Sequence, residues 1–232
     1  MSIPNETRTS VKRWKKILQL TYDELVKLGA NDVWVFGSQA MSLHMKKRAL
    51  ASKDLDLLAT GVSIRMIEQL CNALGKYSDG RPPNYEYQVS TYENRRYPVF
   101  SISLVARNER PFVIELFQTF LGYEVTRLTR YSTFVNRWKN QFQTLTIGGI
   151  VATRLAFRPP DRISSFNAHR LNGFIESVQD KFEWKDVEAF AKDFQLEGTI
   201  NDNLRDLRRR KLRIIGSENL TFLSQKSGLK NQ

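Results

Sequence analysis

The feature that most constrains the fold is a strand–helix–strand pattern between residues 32 and 60. The run DVWVFG, residues 32–37, is rich in β-branched and aromatic residues and ends at glycine, which predicts a strand. Residues 38–50 predict a helix opened by Ser38, and DLDLLAT, residues 54–60, predicts a second strand. Alternation of strands and helices is typical of a mixed α/β fold.

Further helices and strands are predicted on either side of this pattern. Apolar residues at helical spacing favour a helix over residues 11–28, and the same spacing predicts another over residues 63–77. Only Asn94 and Arg95 separate the first two of the strand-like runs that follow, so those two predict a hairpin. The three runs cover residues 85–93, 96–106 and 112–120.

The second half of the sequence is predicted to be mainly helical. Helical spacing recurs over residues 145–158, 164–178, 184–194 and 200–215. No Gly-, Ser- or Pro-rich spacer separates the halves, so we expect two adjoining lobes. The predicted division gives a mixed-sheet lobe flanked by helices, residues 1–121, and a mainly helical lobe with a basic end, residues 122–232.

Composition narrows the classes of function. The 232 residues are 41% hydrophobic, which suffices for a core, and their net charge of +12 predicts a polyanionic partner. Nucleic acid is the first candidate and an anionic membrane the second, while a generally basic, well-solvated surface is the alternative. The single cysteine, Cys71, lies on a predicted apolar helix face and is expected in the core. No secretory signal or membrane-length apolar run occurs, so we expect a soluble cytoplasmic protein with no membrane partner.

Two aspartates in an apolar strand need partners. Residues i and i+2 of a strand point to one face, so Asp54 and Asp56 project together while the leucines beside them point into apolar packing. Paired carboxylates suit hard divalent cations. Glu115, also in the middle of an apolar strand, is the candidate third carboxylate, with Glu86 and Glu93 as competing acids. The alternative for the aspartates is a surface strand end paired with lysines.

Gly37 and Ser38 predict an anion site at the start of the helix between the strands. Glycine allows a phosphate to approach the backbone closely, and the first amides of a helix are free to donate hydrogen bonds. The Ser38 hydroxyl could add a donor or simply cap the helix. The pattern therefore predicts a phosphate site and a metal site at one edge of a sheet.

These residues resemble the nucleotidyltransferase superfamily of the polymerase-β type. Its signature is an apolar residue, Gly, then Gly or Ser, a short helix, and Asp-x-Asp on the next strand, here Phe36-Gly37-Ser38 and Asp54-Leu55-Asp56. The long spacing between the two parts, with Arg48 and the run SKDLDLL, is most similar to AbiEii-type nucleotidyltransferases of abortive-infection and toxin–antitoxin systems.

The resemblance implies transfer of a nucleoside monophosphate from an NTP, such as ATP, to an acceptor hydroxyl. Asp54, Asp56 and Glu115 would bind two Mg²⁺ ions, for which Mn²⁺ can substitute, and Glu115 would help to deprotonate the acceptor. Gly37 and Ser38 would hold the β- and γ-phosphates. The remaining candidates for phosphate contact are Arg48, Lys53 and Arg154, the last where a lysine is usual.

The basic excess favours a nucleic-acid acceptor, RNA more than DNA, with the 3′ end of tRNA as one example and an antitoxin as a possible partner. A small-molecule acceptor or a protein hydroxyl stays open. The alternative function is a non-catalytic protein that binds nucleic acid or a partner on the same scaffold. The candidate nucleic-acid contacts, which could equally be a solvated helix end, are Arg205, Arg208, Arg209, Arg210, Lys211 and Arg213.

Overall fold

A computed structural model describes residues 11–45, 50, 52, 54–92, 95–107, 111–156 and 163–223 of the chain. The chain forms two compact units. The first contains Met1–Leu43 and Lys47–Thr144, and the second contains His44–Lys46 and Leu145–Gln232.

The first unit is built on a mixed sheet with helices, which confirms the predicted fold class. The strand order of the sheet is β3-β4-β5-β2-β1-β7-β6. Its strands are β1 (Val33–Val35), β2 (Asp54–Ala59), β3 (Asn84–Tyr92), β4 (Arg95–Leu104), β5 (Phe112–Phe117), β6 (Ser132–Arg137) and β7 (Asn140–Leu145). The accompanying helices are α1 (Val11–Lys27), α2 (Gly37–His44) and α3 (Ile64–Leu74), with 3-10 segments at Gly75–Tyr77 and Val125–Tyr131.

The core of this unit lies between one face of the sheet and helices α1 and α3. Alternate residues of β2, namely Leu55, Leu57 and Ala59, are fully buried there. Ile17 of α1 and Ile67 of α3 belong to the same cluster. Full burial of such a side chain contributes roughly 1.5–3 kcal/mol to the free energy of folding. This packing therefore fixes which face of each strand lies against the helices and which face lies away from them.

Cys71 is also part of this core, as predicted. Burial, and secondly the charge of Glu68, raises the pKa of its thiol to about 11. A thiol with so high a pKa is protonated at neutral pH and is a poor nucleophile or metal ligand.

The β6–β7 hairpin lies within residues 122–232, the predicted mainly helical lobe, but the structure has both strands in the sheet. β7 pairs in parallel with β1, Trp34 opposite Gln143, so the hairpin extends the first unit. The compact units consequently divide at Thr144 and not at residue 121. Trp138 and Lys139 connect β6 to β7 with φ angles of +50° and +70°, a conformation that hairpin turns usually fill with Asn or Gly.

Contacts from α1 hold this unusual turn. The Trp138 ring packs edge-on against Trp14, with ring centroids 5.5 Å apart. Gln19 donates a hydrogen bond of 2.8 Å to the Trp138 carbonyl, and the Lys15 ammonium lies 4.5 Å from the centre of the Trp138 ring. Tertiary contacts therefore override the local preference of the turn residues.

The second unit is helical, as predicted. α4 (Ile147–Ala156) packs against α5 (Ser165–Val178), α6 (Trp184–Asp193) and α7 (Glu197–Arg209). Gly148 of α4 allows the close approach of α6, because a Cβ atom there would lie 2.5 Å from the Cβ of Asp186. Short 3-10 segments are present at Gln179–Lys181, Ser217–Asn219 and Thr221–Leu223. Among the helices that the structure describes, none has the length and apolar character needed to cross a membrane.

Candidate active site

Three carboxylates lie on the face of the sheet opposite the α1–α3 core. β2 and β5 pair in parallel with Asp56 directly opposite Glu115, and Asp54 lies two residues earlier on β2. Neighbouring strands are about 4.8 Å apart, so the Asp56 and Glu115 side chains leave the sheet side by side. All three acids are partly exposed, whereas Ile114 and Leu116, on either side of Glu115, are fully buried.

The register also separates Glu115 from its predicted competitor Glu86. Glu115 pairs with Ser101 of β4, and Ser101 pairs with Glu86 of β3. Glu86 therefore shares the face but lies two strands further from Asp56, exposed on the edge of the sheet. Glu93, the other competitor, falls outside the residues that the structure describes.

Gly37 lies against the Asp56 carboxylate. Its φ is +62°, and a Cβ atom at this position would be only 1.9 Å from Oδ2 of Asp56. The neighbouring Phe36 N–H donates a 2.9 Å hydrogen bond to the Asp56 carbonyl. Only glycine combines this backbone conformation with this approach, so the Gly of the motif and the second Asp form one packed unit.

Ser38 has a different role from that of the predicted helix cap. α2 begins at Gly37, and the buried Ser38 hydroxyl lies 3.0 Å from the buried hydroxyl of Ser52. Ser52 donates its proton to the carbonyl of Asp54 at 2.9 Å and to Oδ1 of Asp54 at 3.1 Å. Because a hydroxyl has one proton, Ser38 must be the donor in the bond to Ser52. Ser38 therefore donates to Ser52, and Ser52 donates to Asp54. This chain of hydrogen bonds holds Oδ1 of Asp54 in place.

Substituting Ser52 by alanine tests this hydroxyl relay. We expect a loss of about 1–3 kcal/mol in the free energy of unfolding, because the buried Ser38 hydroxyl loses its acceptor. Chemical denaturation measures this loss, and the variant Ser52→Thr, which keeps the hydroxyl, serves as the control. Equal stability of Ser52→Ala and the unmodified protein would contradict the relay.

The first turn of α2 brings further polar groups to Asp54. The amides of Gly37, Ser38 and Gln39 precede the first hydrogen-bonded turn of the helix and have no acceptor within it. The fully buried Gln39 side chain donates from Nε2 to the Asp54 carbonyl. Its Oε1 has no hydrogen-bond partner within the part of the chain that the structure describes.

A tyrosine shares the face with Glu115. Tyr97 of β4 has a raised pKa, chiefly because it is partly buried and also because of the negative charge of Glu115. A hydrogen bond with Ser90 acts in the opposite direction. The phenol therefore keeps its proton at neutral pH and is a hydrogen-bond donor on this face.

The chemistry of the three carboxylates fits a hard divalent cation, which prefers oxygen ligands. The sheet places them on one face, but no group of three or more His, Cys, Asp or Glu in the described ranges is arranged to hold a metal ion. Convergence on a cation would therefore require side-chain rotation by residues that already share the face. The metal assignment of Asp54, Asp56 and Glu115 stays a prediction.

The remaining predicted site residues are distributed differently. Arg48 and Lys53 lie outside the described residues, and the half-buried Arg154 lies in α4 of the second unit. Within the basic end of that unit, Arg205 pairs with Asp202 at 3.6 Å. Arg210 bonds Asp206 at 2.8 Å and the Ile163 carbonyl at 2.7 Å, which is a structural role. The exposed members are Arg205, Arg208, Arg209, Lys211 and Arg213.

Sequence reasoning missed Ser52 and Gln39 as members of the site. From the sequence alone, Ser52 is expected only to cap or turn the chain before β2. A polar residue in the first turn after Gly-Ser, and a serine two residues before the first Asp, are the only sequence signals for them.

Comparison with known proteins gives likenesses to solved structures only. No protein-family model matches the chain, and no curated protein matches it. An antigenic nucleotidyltransferase-like protein from Paracoccidioides brasiliensis is 14% identical, with a TM-score of 0.46, and the match covers 91% of this chain and 98% of that one.

Two further likenesses are to an antibiotic-resistance factor and an antibiotic adenylyltransferase. The antibiotic-resistance factor ANT(2'')-Ia is 10% identical with a TM-score of 0.48, and the match covers 80% of this chain and 93% of that one. The lincosamide antibiotic adenylyltransferase LnuA is 10% identical with a TM-score of 0.38, covering 75% and 99%. The AbiEii-type assignment within the predicted superfamily stays a prediction.

Proposed function

We propose that the protein is an Mg²⁺-dependent nucleotidyltransferase that transfers a nucleoside monophosphate from an NTP to an acceptor hydroxyl. The observation that carries this proposal is the register of Asp56 opposite Glu115, with the backbone of Gly37 packed on the Asp56 carboxylate. A helix start with free amides thus adjoins a row of carboxylates. A triphosphate needs both, because its phosphates take amide donors and its counter-ions take oxygen ligands.

Each residue has a role that follows from its position. The amides of Gly37, Ser38 and Gln39 would bind the β- and γ-phosphates. Asp54, held by Ser52, and Asp56, held by Gly37, would be the metal ligands together with Glu115. The bound ions would polarise the α-phosphate and neutralise the charge that develops on pyrophosphate.

Glu115 is suited to receive the proton of the acceptor. It lies on the row that continues from Asp56 toward Ser101 and the open edge of the sheet, where an acceptor can approach. The acceptor oxygen forms a bond to the α-phosphorus, and the bond from that phosphorus to the β-bridging oxygen breaks. Pyrophosphate leaves with the bonding electron pair while the hydroxyl proton passes to the Glu115 carboxylate.

The acceptor is proposed to belong to nucleic acid, with RNA preferred. The net charge of +12 and the exposed arginines of the second unit support a polyanionic acceptor. The 3′ end of tRNA is one acceptor of this class, and a toxin role with an antitoxin partner extends the same proposal.

A transfer assay tests the proposal directly. The purified protein is incubated with each α-³²P-labelled NTP, Mg²⁺ or Mn²⁺, and total RNA, and labelled RNA is separated by electrophoresis. We expect label in RNA with at least one NTP, and its loss with EDTA and in Asp54→Asn/Asp56→Asn. Transfer that persists in the double variant would overturn the site assignment.

The same protein preparation also tests the alternative function, which is a non-catalytic protein that binds nucleic acid or a partner. A nucleotidyltransferase must bind NTP, and calorimetry with Mg²⁺ and each NTP measures this binding without any acceptor. RNA binding with no NTP binding would reject the proposed function and favour a binding protein on the same scaffold.

A further inference from the structure

A pocket rich in cations lies within the first unit. It is separate from the acid face, which is the face of the sheet that contains Asp54, Asp56 and Glu115. It has a volume of about 410 Å³, and five cations contribute to its lining, with Asp79 as the one acid that lines it among the described residues. These five form what we call the cationic pocket: Lys12, Arg13, Lys16, Lys76 and Arg107. They come from three segments of the chain that are far apart in sequence: α1, the 3-10 segment after α3, and the residues after β4.

Of the five cations, Arg13 also serves the fold, because it donates a hydrogen bond of 3.2 Å to the Tyr77 carbonyl. Lys12 and Arg13 are in the first turn of α1, where the helix dipole favours acids, yet that turn contains none. No ion pair with a described carboxylate involves Lys12, Lys16 or Lys76, and all three are exposed. Holding like charges around one concavity costs energy, and a bound polyanion recovers that energy.

The sheet register places this pocket at the same end as the carboxylates. β4 ends at Leu104, which pairs with Phe112 at the start of β5, and Asp54 pairs with the next residue, Val113. Arg107 follows the end of β4 by three residues. The cationic pocket therefore borders the end of the sheet at which Asp54 lies.

A second concavity adjoins the cationic pocket. It has a volume of about 740 Å³ and shares Asp79 and Arg107 with the cationic pocket. Asn84 and Ser103 also line this concavity. Those two residues pair with each other, and Ser103 pairs with Val113, so they lie in the same row of the sheet as Asp54.

We propose that the cationic pocket binds the phosphodiester backbone of a single-stranded nucleic acid, and that the adjoining concavity leads one end of that strand to the carboxylates. A membrane surface is less suited, because the cations line a concave pocket, to whose lining Tyr77 also contributes. Cations combined with an aromatic ring are typical of single-strand sites. The path to the acids rests on the proposed function, whereas the binding itself does not.

Binding is measured by fluorescence anisotropy with a fluorescein-labelled single-stranded RNA of about 20 nucleotides, without NTP or divalent ions, over a range of salt. The test variant is Lys12→Ala/Lys16→Ala/Lys76→Ala. The matched control, Lys181→Ala/Lys185→Ala/Lys192→Ala, removes the same charge from exposed positions of the second unit that have no proposed role in binding. We expect affinity to fall about tenfold or more in the test variant, with a log–log salt slope shallower by about 2, at about 0.7 for each lost phosphate contact.

Two results would overturn the proposal. One is RNA affinity in the test variant within about twofold of the unmodified protein, and the other is an equal loss in both variants, which would indicate net charge alone. Loss of binding to phosphatidylserine vesicles with unchanged RNA binding is a form of the first result and would indicate a membrane site. Asp54→Asn/Asp56→Asn is expected to bind RNA normally, so failure of the proposed catalysis leaves this test intact.

Discussion

Asp56→Asn is expected to reduce nucleotidyl transfer about 10³-fold or more while it changes the free energy of unfolding by no more than about 1 kcal/mol. The amide has the size and shape of the carboxylate, so its contact with Gly37 is kept. It lacks the negative charge, and it would lose an oxygen ligand for the cation that we propose is shared with Glu115. Initial rates with labelled NTP and chemical denaturation measure the two effects.

Glu86→Gln is the matched control for this prediction. It makes the same chemical change on the same face of the sheet, at the exposed edge strand two strands beyond Glu115. We expect its rate to equal that of the unmodified protein. A large loss in Glu86→Gln with little loss in Asp56→Asn would mean that the catalytic acids lie nearer the sheet edge than the register indicates.

Gly37→Ala is expected to lower transfer about 100-fold while costing about 1–2 kcal/mol in the free energy of unfolding. The added Cβ would lie 1.9 Å from Oδ2 of Asp56, at the far end of a side chain that can rotate away. Rotation removes the clash cheaply but carries the carboxylate out of position. The stability cost is then mainly that of a φ of +62° for a residue with a Cβ atom.

Gly29→Ala separates the effect of displacing Asp56 from the effect of placing a Cβ atom at a positive φ angle. Gly29 has a φ of +89°, and an added Cβ atom there has no neighbour within 4 Å. We expect a similar stability cost with an unchanged rate of transfer. If the transfer rate of both glycine variants fell in proportion to their free energy of unfolding, displacement of Asp56 would not be the cause of the lower rate.

The acid face could be predicted because the alternation of apolar and acidic residues along a strand shows which residues share a face. Alternation of leucines with Asp54 and Asp56 predicts one polar face, and the structure has β2 at Asp54–Ala59, within one residue of the prediction. Glu115 could be chosen over Glu86 because its flanking residues are apolar, and burial of Ile114 and Leu116 explains that pattern. Periodicity thus identified each acid, but the pairing of β2 with β5 had no local signal.

Other parts of the site could not be predicted, because their signals are tertiary. The turn at Trp138 and Lys139 lacks the glycine or asparagine that marks a hairpin, and packing on Trp14 replaces that signal. The hydroxyls of Ser38 and Ser52 form a hydrogen bond that the spacing of the two residues in the sequence does not predict. The basic run KRWKK, residues 12–16, supplies three cations of the cationic pocket, but Lys76 and Arg107 join them only through the fold, so the run alone does not predict a pocket.

The pairing of Asp56 with Glu115 also bears on how the chain reaches its native state. β3, β4 and β5 form a meander from neighbouring segments, whereas β2 must enter between β5 and β1, which brings together residues about 60 positions apart. The entropy of closing that loop is lost before the pairing returns any free energy. The carboxylate pair consequently forms only in chains that have completed the sheet, so a partly folded chain would lack the proposed nucleotide site.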